Sequence, residues 1–139
     1  MTLRNLIGSL FAGILLVAAG QAVAHHSFSA EFDAEKPIQL TGIVTKVEWT
    51  NPHVWFYINV KDEATGEVGN WGAEMGPPHG LQRRGWRRDT LKIGEEVTVE
   101  GFLARNGSQR VNARQVTLTA TGARPGETLD ANSSRAGEE

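Results

Sequence analysis

The chain has 139 residues, 14 Lys and Arg against 16 Asp and Glu, a formal charge of −2 and no cysteine. So balanced a charge excludes a general attraction to nucleic acid or anionic lipid, and the missing thiols exclude disulfides, thiolate metal sites and cysteine lipidation. Whatever folds is held by its core or by a ligand, and the length suits one small domain.

Residues 1–24 read as a secretory signal peptide. Arg4 precedes an apolar run from Leu6 to Ala19, and Ala22-Val23-Ala24 supplies the small residues of a cleavage site. The competing reading is a membrane anchor, but the run is shorter than the ~20 residues that cross a bilayer. It also contains Gly13 and lacks a basic stop. Cleavage after Ala24 makes His25 the mature amino terminus, with His26 beside it. Cleavage after Ala22 would leave Val23 and Ala24 ahead of them and take the amine away.

Residues 25–37 read as an extended amino-terminal arm, pinned by Phe28 and Phe32, with Pro37 opening the ordered part. Residues 38–120 read as a β domain. Ile38 to Trp49 is rich in β-branched residues and predicts a first strand. Leu40 lies on one parity and Ile43, Val47 and Trp49 on the other, so a bulge is expected at Gly42. Thr50-Asn51-Pro52 is a turn signal. The second strand runs from His53 to Val60, with Val54, Phe56, Ile58 and Val60 on one face and His53, Trp55, Tyr57 and Asn59 on the other. Asn70 to Met75 forms a short third strand, ended by Gly76-Pro77-Pro78.

His79 to Arg88 is the one short helix, weakened by Gly80 and Gly85. A fourth strand covers Glu96 to Leu103, Asn106-Gly107 turns the chain, and a fifth covers Val111 to Thr119. The expected core includes Ile43, Val47, Phe56, Ile58, Val97, Val99 and Val116. Residues 121–139 are rich in Gly, Ser, Glu and Arg and read as a disordered tail. Three strands, a short helix and two strands is the order of a five-stranded OB-like Greek-key barrel. An open sandwich or roll with the same strands is the competitor.

His25-His26-Ser27-Phe28, Trp49-Thr50-Asn51-Pro52-His53, Arg83-Arg84-Gly85-Trp86 and the run from Gly94 to Gly101 together resemble one family. It is the secreted bacterial proteins grouped as domain-of-unknown-function family 6152, matched from His25 to about Leu118. The resemblance implies an exported protein with one small β domain. It carries no catalytic residue across.

Two constellations carry chemistry. The first is the histidine set of His25, His26, His53 and His79. A terminal histidine chelates through its amine and its ring, and copper(II) favours such nitrogen donors and tops the divalent affinity order. His25, His26 and His53 are the expected ligands, with Met75 a soft donor for copper(I). The pairing of a terminal histidine with a distant one is similar in idea to the copper brace of secreted oxidative enzymes. The bland alternative is a mobile polar arm and a His53 bonded to a carbonyl. The second constellation is the segment Arg83-Arg84-Gly85-Trp86-Arg87-Arg88. Its guanidinium groups and indole suit an anion or a ring, and OB barrels bind ligands on one face, here expected at Trp55 and Tyr57. The alternative is a solvated basic turn offset by Asp89 and Glu74.

Glu31, Asp33, Glu48 and Glu74 show no acid–base spacing, and no Gly-x-Ser-x-Gly, phosphate loop or His-Glu-x-x-His is present. The sequence thus points to an exported, non-enzymatic ligand-binding domain. It takes copper through the terminal histidines, or, in the alternative, an anionic ligand or periplasmic partner protein through Trp55, Tyr57, Arg83, Arg84, Trp86 and Arg87. An oxidase built on the copper site is a third reading. Nucleic acid is not an expected partner after export, and no membrane span is expected after cleavage.

Overall fold

The structure is a computed structural model and describes residues 27–119 and 126–132. The expected signal peptide, His25 and His26 lie outside the described residues. The chain divides into two units, residues 1–31 and 32–139. In the first, Ser27–Glu31 forms a single helical turn, α1.

The second unit is mainly β. Its strands are β1 (Phe32–Glu48), β2 (Trp55–Lys61), β3 (Val68–Glu74), β4 (Glu96–Ala104), β5 (Arg110–Leu118) and β6 (Thr128–Asp130). A short helix, α2 (Pro78–Arg83), stands between β3 and β4. The six strands form one sheet in the order β3-β2-β1-β4-β5-β6, antiparallel at every neighbouring pair. β3 also pairs with β5 in parallel, through Gly72↔Arg110, Ala73↔Val111 and Glu74↔Asn112. That joins five strands in a ring. The expected closed barrel is corrected here: the ring is not a true barrel. Beyond Glu74 and Asn112, Ala131 stands between the two strands, its carbonyl accepting from Gly76 N–H at 3.0 Å and its N–H donating to Arg114 O at 2.9 Å.

Alternation builds the interior. Val54, Phe56 and Ile58, then Val97 and Val99, then Val116 and Leu118, point inward and are buried with Val44, Met75, Leu81 and Trp86. Five of the seven expected core residues are among them; Val47 only packs against this core from its edge. Ile43 is 40% exposed, because the break in phase comes later than expected. The register against β2 slips between Val44 and Lys46, so Thr45 is the extra residue. Gly42 serves a different need. It is buried, and a Cβ there would collide with the backbone carbonyl of Asn59.

Both flanks differ from the sequence expectation. The arm is not extended over Ser27–Glu31, and β1 begins at Phe32, five residues before Pro37. Phe32 pairs with Ala104 and is buried, a gain in apolar burial that lone β propensity does not register. The helix is shorter than expected, ending at Arg83. The stretch expected to be a disordered tail contributes β6, paired to β5 through Val116↔Leu129 and its neighbours. Leu129 and Ala131 are buried and both enter the core.

Candidate functional site

Strand β2 puts its odd-numbered residues outside. Pairing lays two rows through the Trp55 and Tyr57 side of the sheet: Glu48, Trp55, Glu74 and Asn112, then Lys46, Tyr57, Gly72 and Arg110, with Glu74 and Asn112 buried at the end of the first row. The bulge at Thr45 makes these rows. Without the extra residue, Lys46 would face Phe56 in the core; with it, Lys46 and Glu48 come outside, against Tyr57 and Trp55. Thr45 Oγ1–H donates to Tyr57 O at 3.3 Å, and Asn70 Nδ2–H donates to Thr45 Oγ1 at 3.1 Å.

Two half-buried aromatic rings dominate the face, each with a cation. The Arg110 guanidinium lies 4.8 Å from the Trp55 ring centroid, and Lys46 Nζ lies 5.4 Å from that of Tyr57. Gly72 is the floor. A Cβ there would stand 3.3 Å from Tyr57 Cε1 and 3.5 Å from Trp55 Cζ3, so its absence lets both rings lie down on the sheet. Lys46 Nζ lies 2.5 Å from Glu48 Oε1, and Tyr57 O–H donates to Glu48 Oε2 at 3.1 Å. The two hydrogen bonds, from Lys46 first, hold the Glu48 carboxyl below its ordinary range. Burial first, and then the bond to Glu48, pushes the Tyr57 phenol up. Glu48 also raises the Lys46 ammonium.

His53 borders the face just before β2. Its Nδ1 lies 3.0 Å from Met75 O and 3.6 Å from Glu74 Oε1. A carbonyl only accepts, so Nδ1 carries a proton and turns Nε2 away from this bond. The side chain is 32% exposed. His79 is exposed on α2. Met75 is fully buried, which takes its sulfur out of reach of a surface metal. Among the described residues no three His, Asp or Glu side chains gather as a metal-binding group.

The Arg83–Arg88 segment is built otherwise than expected. Trp86 is fully buried in the core and its indole N–H donates to Asp130 O at 2.8 Å. A ring with no exposed face cannot stack on a ligand, so that assignment is corrected. Arg84 Nη1–H donates to Asn132 O at 2.5 Å, and its guanidinium lies 3.8 Å from Asp130 Oδ1, so this cation holds the carboxy-terminal segment. Arg83 and Arg87 are exposed. Of the expected ligand-binding residues, the structure brings together Trp55 and Tyr57. It adds Arg110, Lys46 and Gly72, which sequence reasoning missed. Arg110 sits in no motif and reaches the face only through the parallel β3–β5 pairing.

The class that fold and face define is a small, mainly β protein with an aromatic–cationic surface on a ring of strands. The chain belongs to the family of unknown function DUF6152, whose model matches residues 13–113. No curated protein matches it.

Proposed function

We propose that the protein is a small exported ligand-binding module of the OB type and that an anionic ligand meets the outer face of β2. The strand order of the ring and the helix between β3 and β4 support the OB reading, since such folds bind ligands on the face of their second and third strands. The observation that carries the binding reading is Arg110, whose guanidinium lies over the Trp55 ring beside Tyr57. The ring contact limits the freedom of the guanidinium, and a guanidinium's planar fork matches a carboxylate or phosphate. Glu48 pairs with Lys46 on the same face and keeps its net positive charge small, which favours one compact anionic group over a polyanion. Export rests on residues 1–24, and the mass of the secreted protein should match a His25 start.

The test is a titration of labelled protein with phosphorylated and carboxylated small molecules, followed at the Trp55 indole N–H resonance. A charge-assisted bond contributes about 1.5–3 kcal/mol, so Arg110→Ala should weaken binding by about tenfold or more. If no anion moves the resonance, or Arg110→Ala binds as wild type does, the reading fails.

A second reading, copper binding, is favoured by the His53 tautomer. A metal-ligating histidine typically donates its other ring N–H to a carbonyl or carboxylate, and His53 is held in that way by Met75 O and Glu74. The amine and rings of His25 and His26 are the partners the sequence offers. Copper(II) affinity should fall as pH drops through the histidine range, near ~6.5 for a free ring. One residue added ahead of His25 should weaken it, and His53→Ala should change the copper spectrum. Unchanged affinity and spectrum in His53→Ala would remove His53 from the site.

A further inference from the structure

We propose that the seam between β3 and β5 is a peptide-binding groove that the chain fills with its own residues 126–132, and that it accepts in trans an extended peptide of the pattern apolar–any–small. β3 and β5 pair over three residues and then part, leaving Gly76 N–H on one side and Arg114 C=O on the other. The carboxy-terminal segment enters there as an added strand. Its main chain is what the rest of the domain recognises. Gly76 N–H donates to Ala131 O, Trp86 Nε1–H to Asp130 O at 2.8 Å and Arg84 Nη1–H to Asn132 O at 2.5 Å. Leu118 N–H donates to Glu127 O at 2.8 Å, and Ala131 N–H donates back to Arg114 O.

Side chains enter at alternate positions. Leu129 and Ala131 are buried in the core, and Asp130 between them is exposed. Main-chain bonds for affinity and two alternate pockets for selectivity are the pattern of strand addition to an open sheet edge. The Arg-rich segment finds its role here: Arg84 and Trp86 are two of the donors that clasp the strand. The occupant is therefore stated by its chemistry. It is an uncharged or acidic extended segment with Leu or a similar residue followed two positions on by Ala, because Arg84 already lies 3.8 Å from the Asp130 carboxylate.

The experiment uses the full chain and a synthetic peptide copying residues 126–132, read at the Trp86 indole N–H resonance. In the wild type the tethered segment competes at an effective concentration of about millimolar and suppresses binding. In Leu129→Ser, which loosens the strand, the peptide should bind about tenfold tighter or better and restore the wild-type Trp86 resonance. A peptide with its Leu changed to Asp should not. Failure of the peptide to bind folded Leu129→Ser protein overturns the proposal. So does loss of the fold in both Leu129→Ser and the milder Leu129→Val, which would make the strand an inseparable part of the core. Exchange of the segment between two copies, seen as a dimer in place of peptide capture, overturns it as well.

Discussion

Tyr57 shows how one residue joins packing to charge on the β2 face. It is the single tyrosine of the chain, so phenolate absorbance reads it alone. Burial and the bond to Glu48 raise its titration above the ordinary phenol range. A raised group contributes stability that is full below its unfolded value and is lost as pH climbs through the folded one. Glu48 has the opposite sign: its contribution is present above the ordinary carboxylate range and is lost as pH falls through its lowered value. Glu48→Gln should lower the Tyr57 midpoint only in part, because burial is the larger cause. A midpoint that returns fully to the ordinary value would mean the ring is wetter than its packing against Gly72 implies. The aromatic residues of this face were legible in the sequence, since His53, Trp55, Tyr57 and Asn59 alternate with the apolar set. Their cations were not, because Lys46 changes side at the bulge and Arg110 arrives from a strand distant in sequence.

Among the elements, β1 and α2 make opposite demands on glycine. Gly42 lies where the Asn59 carbonyl of β2 crosses the place of a Cβ. The neighbour is backbone, so Gly42→Ala has to push two paired strands apart and should destabilise by about 1–3 kcal/mol in urea. Gly80 lies in α2 with the Pro77 ring no closer than 3.6 Å to a would-be Cβ. Gly80→Ala should therefore stabilise by about 0.4–1 kcal/mol, from helix propensity and a stiffer unfolded chain. If Gly42→Ala is as stable as the wild type or more so, the close approach of β1 to β2 at Gly42 is wrong. The phase change within β1 could be read from Leu40, Ile43 and Val47. Its place could not, because a glycine required by a neighbouring strand looks the same in one dimension as a glycine at a bulge.

For the whole molecule, the interior depends on the ring and on what fills its seam. Phe56 is fully buried at its centre, and Phe56→Ala should cost about 3–5 kcal/mol. A small shift of the denaturation midpoint would put the β2 parity in error. The ring explains why residues far apart in sequence share work. Trp86 packs inside it and holds Asp130, so the Arg-rich segment and the carboxy-terminal strand form one structural feature. Among the described residues, no helix is long and apolar enough to cross a membrane.

By itself the sequence determined the mainly β class, five of the six strands, the helix between β3 and β4, and the buried face of β2. These follow from alternation and turn chemistry, which act between residues close along the chain. Only the tertiary structure decided which basic residues serve which task. Arg110 comes to Trp55 because β3 and β5 pair in parallel, and Arg84 is committed to the strand beside Trp86. It also decided that Leu129 and Ala131, in a stretch almost devoid of other apolar residues, belong to the core. Two small apolar side chains leave hardly any periodic trace. They fold because the seam between β3 and β5 presents them with backbone groups to pair and a space to fill.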